Sequence, residues 1–439
     1  MQQQAIALYQ AGAFAEAGAL LARAIGEAPQ DRLAWRYLAL CFARQHQPDK
    51  ALGLVELRQQ HGDDALSLFY ELLRDLCAAG RAAEFAALAR QVPKDSLLGI
   101  IVEFFSGCLA ARRDDAEAAL AHLKSAAKAA AQVKPLFARD ARLSSIEVQP
   151  HVFADFDDLA RLEATPRAAV VQATPSLEPF IRFAAAGEAG GDAGFVYLCS
   201  CNEIYLERFG PIIAATLERA GVDAVLHLHV VDAGEATPGL IEALRRGSER
   251  LDIRWSDETF RHRLSGGYVS ATYYACARFA RAQEIAAHYG KDLLILDMDI
   301  GALGDVRRLA AAMRDAELGY FDGGGVLPWL ICHGAAVYLR RSAAIDRYNE
   351  LVFKYIADKI EHSYVWGLDQ AAMWMVSRYL AARRPPFRCV EFAAALGTSL
   401  DAFLRQESTT VEKQKLRFAS PGYRAAASHA SSISTVQSG

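Results

Sequence analysis

The chain has 439 residues, 52% apolar and 23% charged, with a net charge of −4. That length suits two or three domains with sizeable cores. The small net charge and the lack of a dense Lys/Arg run argue against nucleic acid or anionic membrane as the main partner. Met1-Gln2-Gln3-Gln4 lacks the basic-then-apolar pattern of a signal peptide, and no uncharged apolar stretch reaches the ~20 residues of a bilayer span. No membrane span and a cytoplasmic location are therefore expected. The eight cysteines are scattered; only Cys199-Ser200-Cys201 is close, and it reads as plain thiols of a reducing compartment.

Residues 1–137 repeat. Ala17, Ala51, Phe85 and Ala119 are 34 residues apart, as are Leu8, Phe42, Leu76 and Ala110, and Gly12, His46, Gly80 and Asp114. The surrounding pattern is helical, and Pro29 closes the first unit. Small residues at fixed positions let antiparallel helices pack closely, and stacked neighbours bury a continuous core. Gly12, Phe14, Ala17, Ala24 and Pro29 resemble the tetratricopeptide repeat. The later units depart from it, with Gly replaced at 46 and 114 and Ala at 85. A generic helical hairpin array is the other reading.

Residues 138–194 read as a connector, interrupted by Pro150, Pro166, Pro175 and Pro179, with some helix around Phe153 to Leu162. From 195 to 424 the pattern alternates. Short apolar runs (195–199, 224–231, 251–255, 293–296) are separated by helical stretches at 208–220, 240–247 and 273–288, which predicts a mostly parallel α/β sheet. Ligands of such sheets bind beyond the carboxyl ends of the strands. Residues 425–439 are small and polar and read as a disordered tail.

Four segments of this second region carry chemistry. In Val196–Tyr205 a strand ends in a polar turn, with Ser200, Asn202, Glu203 and Tyr205 at its exit; Asn202 also suits a helix cap. Tyr273–Phe279 carries Arg278 on a helix, with Arg281 beyond it, where a solvated face is the bland alternative. Asp297-Met298-Asp299 follows the buried run 293–296. Two carboxylates leaving a strand together can share one hard divalent cation. Cys332-His-Gly-Ala-Ala-Val-Tyr338 and Trp366-Gly-Leu-Asp-Gln370 form the last pair, the second opening a helix over 371–380 that Asp369 could cap.

In this order the four segments resemble a GT-A (Rossmann-like) glycosyltransferase, of the kind that includes glycogenin and bacterial lipooligosaccharide galactosyltransferases, over roughly Phe195 to Arg417. The resemblance implies that Ser200, Asn202, Glu203 and Tyr205 hold the nucleoside, and that Arg278 reaches the donor phosphates or sugar. It implies that Asp297 and Asp299 bind Mn²⁺ or Mg²⁺, Asp297 touching metal or ribose. His333 stands where the family has Asn, contacting the donor sugar. Asp369 and Gln370 would face the anomeric carbon and the acceptor, and Lys413 and Lys415 the diphosphate. No convincing third metal ligand is present, since the only late His, His429, lies in the tail. His227 and His229 share one strand face and read as satisfied core or edge histidines. Gly323-Gly-Gly325 reads as a tight loop, because no Gly-Lys-Ser/Thr follows.

The function implied is transfer of a sugar from a nucleotide-sugar donor, UDP-sugar favoured, to an acceptor protein or glycan recruited partly by the repeats, with retention of configuration. A catalytically inactive scaffold acting through the repeats is the alternative. A nucleotidyltransferase is a third option, but it lacks the expected Gly-rich basic loop after the first strand.

Overall fold

The computed structural model describes residues 1–60, 65–137, 140–184, 194–261, 267–360, 367–383 and 385–407. They divide into two compact units, Met1–His151 with Gly324–Pro328, and Val152–Gly323 with the chain from Trp329 onward. The tail, Lys413, Lys415, His429 and Trp366 lie outside the described residues.

The first unit is all helix. Eight helices form four hairpins: α1 (Gln2–Gln10) with α2 (Phe14–Glu27), α3 (Arg32–Arg44) with α4 (Pro48–Gln60), α5 (Ala65–Ala78) with α6 (Ala82–Ala89), and α7 (Leu97–Arg112) with α8 (Ala116–Gln132). One backbone device closes every hairpin. The N–H of Ala13, Gln47, Arg81 and Asp115 donates to the carbonyl of Leu8, Phe42, Leu76 and Ala110 at 2.9, 2.9, 2.8 and 3.0 Å. The residues before those donors, Gly12, His46, Gly80 and Asp114, have φ of 84°, 58°, 66° and 67°. This is the helix-ending turn that needs a left-handed residue. Gly supplies it freely; His and Asp adopt it at some cost. Two of the 34-residue series are thus the two ends of one turn. The third series, Ala17, Ala51, Phe85 and Ala119, is buried between the helices. Gly107 on α7 lets α8 approach, since a Cβ there would stand 2.7 Å from Leu123 Cγ. Then come α9 (Lys134–Phe137) and α10 (Ala141–Val148).

The stretch read as a connector carries α11 (Phe156–Ala164), α12 (Arg167–Ala173) and β1 (Arg182–Phe183). Beyond it run β2 (Phe195–Cys201), α13 (Glu203–Ala220), β3 (Ala224–Val231), α14 (Thr237–Arg246), β4 (Leu251–Glu258), α15 (Gly267–Ala280), α16 (Ala282–Tyr289), β5 (Asp292–Leu296) and β6 (Ile300–Leu303). The chain continues through α17 (Val306–Ala312), β7 (Leu318–Phe321), β8 (His333–Leu339), α18 (Ala343–Ile360), α19 (Leu368–Ala381), β9 (Cys389–Glu391), α20 (Phe392–Leu396), α21 (Leu400–Phe403) and β10 (Leu404–Gln406).

Eight strands form one mostly parallel sheet in the order β1-β4-β3-β2-β5-β8-β7-β9, and β6 pairs separately with β10. Every residue of β2 and β3 is buried, as expected of strands covered on both faces. The chain lays β2, β3 and β4 down in one direction, then returns to place β5 on the other side of β2. The order therefore reverses between β2 and β5, where ligand crevices form in open α/β sheets. Asn202 and Asp297 follow directly on those two strands.

Alternation sorts the side chains. Tyr197, Cys199, Leu226, Leu228, Leu294, Leu296 and Met298 enter the core that also takes in Leu206, Phe209 and Ile241 of α13 and α14. The opposite face meets α15 and α16 and carries polar residues. There His227 Nδ1 lies 2.7 Å from the Tyr289 hydroxyl and its Nε2 2.8 Å from Ser256 Oγ. His229 Nδ1 lies 2.9 Å from the same Oγ, and its Nε2 2.9 Å from Glu258 Oε1. With the carboxylate ionised, one set of protons serves all four contacts. His229 Nε2 donates to Glu258, Ser256 to His229, His227 Nε2 to Ser256, and Tyr289 to His227. Every ring nitrogen then has a partner, and the expectation of satisfied core histidines holds.

Burial, with the neighbouring His229 and His288, pushes His227 well below the usual 6.5. The unfolded chain takes this proton below pH 6.5 and the folded chain does not, so the network's stability is present above 6.5 and is lost as pH falls. Replacing His227 by Gln removes that proton. Its destabilisation, read from urea midpoints, should shrink by about 1.4 kcal/mol per pH unit between pH 6.5 and 5. A pH-independent difference between the two proteins would contradict this protonation state.

Candidate active site

The site begins with the strand alternation that carries past β5. Leu294, Leu296, Met298 and Ile300 point into the core under α13, which leaves Asp297 and Asp299 on the α15 side. The backbone fixes both ends of the tripeptide: Asp297 N donates to Ala335 O at 3.0 Å, and Glu407 N donates to Asp299 O at 2.8 Å. Asp299 is 3% exposed, and Asp297 is half-buried. Their side chains converge. Gln406 Nε2 donates to Asp297 Oδ2 at 2.6 Å and stands 3.5 Å from Asp299 Oδ1.

Arg278 is the hub. It lies in the last turn of α15, a helix packed against β2, α18 and α19, so it is buried rather than solvated. Its Nη1 pairs with Asp297 Oδ1 at 2.5 Å, and its Nη2 stands 3.8 Å from Asp369 Oδ2. Nη2 also donates to the Gly334 carbonyl at 3.2 Å. Burial alone would lower the Arg278 pKa, but Asp297 and Asp369 outweigh it and hold the charge in place. Gly334 leaves room for this pair, since a Cβ there would crowd Arg278 Nη2 at 3.2 Å and Asp369 Oδ2 at 3.3 Å.

Asp369 does not cap α19. The cap position is Gly367, at φ 89°, and Asp369 sits in the first turn. Burial raises its carboxyl to about 6, against the pull of Arg278 and of the first-turn N–H groups. Next to it Gln370 Oε1 is buried without a hydrogen-bond partner, and so is Arg278 Nε. The cluster thus has polar capacity that its own chain does not use.

The residues expected to hold a nucleoside line the end of the neighbouring strand. Asn202 caps α13, its side chain accepting from Tyr205 N at 2.9 Å. Glu203 accepts from Thr237 Oγ1 at 2.7 Å and presses on Gly234. Ser200 Oγ donates to the Tyr274 carbonyl at 2.9 Å, tying β2 to α15. Tyr205 is half-buried against Phe209. His333 opens β8 two residues before Ala335, whose carbonyl accepts from Asp297 N, and its Nδ1 accepts from Ala335 N at 3.2 Å. Gly323 packs on the same imidazole, where a Cβ would come within 2.8 Å. Arg281 lies apart from this cluster: it is fully buried against Glu258.

Sequence reasoning missed Gln406 and Asp232. Asp232 follows β3 at φ 57°. It accepts from Phe260 N and from the Tyr274 hydroxyl, each at 2.9 Å. Burial raises its carboxyl above the ordinary range. The one available signal was an acidic residue just past an all-apolar strand of a parallel sheet. Gln406 gave no signal, being a single amide 107 residues from Asp299.

Two carboxylates within reach of one donor atom suit a hard divalent cation, which takes oxygen ligands. Two carboxylates (297 and 369) face one guanidinium and Asp299 adds a third beside Asp297, so the local charge also favours a cation. Among the described residues no group of three or more His, Cys, Asp and Glu forms a metal site. A cation held by Asp297 and Asp299 would need its remaining ligands from other oxygens. All eight cysteines are free thiols, including Cys199 and Cys201 in β2. Among the described residues no helix is long and apolar enough to cross a membrane.

No protein-family model matches the chain, and no curated protein matches it. Among solved structures, the chain is similar to mouse xyloside xylosyltransferase 1 in its apo form, at 16% identity over 49% of this chain and 94% of that one, with a TM-score of 0.28. The chemistry of the site is therefore read from its own geometry.

Proposed function

We propose that this protein is a metal-dependent glycosyltransferase that moves a sugar from a nucleotide-sugar donor to a hydroxyl acceptor. One observation carries the reading. At the reversal point of the sheet, Asp297 and Asp299 converge within reach of one atom, while Arg278 links Asp297 to the buried Asp369.

Asp297 and Asp299 would hold Mn²⁺ or Mg²⁺, which when bound neutralises charge on the leaving diphosphate as a Lewis acid. Asn202, Glu203, Tyr205 and Ser200 would line the nucleoside end, with a UDP-sugar as the favoured donor. Arg278 contributes a second, permanent positive charge. Asp369 and Gln370 present a carboxyl and an unused amide oxygen toward the donor carbon and acceptor, and His333 would touch the sugar. In the transfer the bond from the anomeric carbon to the diphosphate oxygen breaks and a bond from the acceptor oxygen forms. The acceptor's proton leaves with the diphosphate or to water. Positioning and fixed charge would supply most of the rate, with configuration retained. The helical hairpins of the first unit would act as tetratricopeptide-like repeats that recruit an acceptor protein or glycan. Lys413 and Lys415 remain candidates for the diphosphate.

A catalytically silent scaffold is the rival, favoured by the engagement of both Asp297 oxygens within the chain. Incubation with UDP-sugars separates the two. The transferase should release UDP slowly, by hydrolysis, with Mn²⁺ and not with EDTA. Equal release, or none, under both conditions supports the scaffold.

A further inference from the structure

Strand β10 approaches the acidic tripeptide with an irregular register. Leu404 pairs with Leu303 and Arg405 with Ala302, but Gln406 then pairs with Ile300, skipping Gly301. Bulges of this kind re-aim a side chain. Here the next residue, Glu407, is anchored on the Asp299 carbonyl at 2.8 Å, so the backbone on either side of the Gln406 side chain is fixed. A Cβ on the skipped Gly301 would come within 2.1 Å of the Glu407 side chain, so any larger residue there would force that exposed side chain to move. The result is an amide placed between two carboxylates, 2.6 Å from Asp297 Oδ2 and 3.5 Å from Asp299 Oδ1.

A primary amide has a donor end and an acceptor end on one rotor. The donor end suits two carboxylates without a cation, because it partly offsets their charge. A divalent cation at the shared point would repel the NH₂ group and attract the carbonyl oxygen. A half-turn about the terminal torsion, which is soft, exchanges one for the other without moving the strand. The buried, unpartnered Arg278 Nε and Gln370 Oε1 of the adjoining cluster independently mark this region as built for a polar guest.

We propose that Gln406 is the third protein oxygen on the ion held by Asp297 and Asp299, and that its amide covers the two carboxylates when no ion is bound. This rests on the metal-dependent reading above. It answers the absence of a third His, Cys, Asp or Glu among the described residues. A neutral ligand makes the site weaker than a three-carboxylate site, because affinity for hard cations grows with ligand charge.

The test is Mn²⁺ binding by the full-length protein, followed through loss of the free-ion electron paramagnetic resonance signal, with no substrate present. The wild type should bind one ion at this site. Gln406→Ala should weaken binding on the order of tenfold, and Gln406→Glu should tighten it by a similar factor. Gln406→Glu should also lower the melting temperature without Mn²⁺, through added like charge, and recover it with Mn²⁺. Tightening cannot arise from misfolding, so this variant decides the matter if Gln406→Ala folds poorly. Wild-type affinity in both variants overturns the role of Gln406 and leaves the metal site standing. Absence of Mn²⁺ binding in the wild type overturns both.

Discussion

Under the proposed function, Asp299→Ala is expected to lower metal-dependent kcat/KM for the nucleotide-sugar donor by about a thousandfold or more, roughly 4 kcal/mol of transition-state stabilisation. The size follows from the charge distribution. Asp297 already shares one oxygen with Arg278 at 2.5 Å, so it cannot supply the negative charge of a cation site alone. Asp299 is 3% exposed and projects from the same side of the chain, held there by its carbonyl bond to Glu407. Its loss should therefore remove tight Mn²⁺ binding and turnover together. The fold should survive, because Met298 and Ile300, which anchor the segment in the core, are untouched. Initial rates across a Mn²⁺ titration, with circular dichroism melts of both proteins, check this. A folded Asp299→Ala protein turning over at the wild-type rate would remove the metal from the mechanism.

Glu258→Ala should cost about 3–5 kcal/mol of folding stability, the range for breaking one side of a buried ion pair. Glu258 and Arg281 are 1% and 0% exposed and bonded to each other. The carboxylate also accepts from the Tyr273 hydroxyl at 2.7 Å, His229 Nε2 at 2.9 Å and Arg281 Nε at 2.9 Å. Burial alone would raise its pKa; Arg281 and His229 outweigh that and bring it to about 2. Its contribution is therefore present above the ordinary carboxylate range and is lost as pH falls from about 4.5 toward 2. Truncation leaves Arg281 with Glu284 and the Glu178 carbonyl as partners. Urea unfolding at pH 7 gives the loss. The double variant Glu258→Leu/Arg281→Met should recover only part of it: replacing both partners with apolar groups removes the unpaired charge, while the Tyr273 hydroxyl and His229 Nε2 still lose their acceptor. A single-variant cost below about 1 kcal/mol would show that the pair is not holding β4 to the junction of α15 and α16.

The central strands were legible because β2, β3 and the run 293–296 are buried on both faces, which leaves unbroken apolar stretches. The hairpin turns were legible through their period, although Leu8, Phe42, Leu76 and Ala110 matter there for their carbonyls rather than their side chains. Strands β6 to β10 were not expected. They run three to seven residues, some carry Gly, and β6 and β9 find their partners far along the chain, so neither length nor alternation marks them. The Asp-x-Asp motif was visible as a pattern, but its surroundings were not. The burial of Arg278 depends on α18 and α19 covering α15, and helix periodicity alone gives an Arg no such neighbours. Gln406 reaches the carboxylates only because one residue is skipped in a two-stranded ribbon.

The shared turn of the four N-terminal hairpins bears on how that region tolerates change. Each is shut by a bond spanning five residues, so no hairpin needs a distant segment to hold its bend, and cohesion passes from neighbour to neighbour. An array of this kind can shed its outermost hairpin while the rest stays ordered. A block of 34 residues cut or copied between equivalent turns would leave every remaining junction with the geometry it had before.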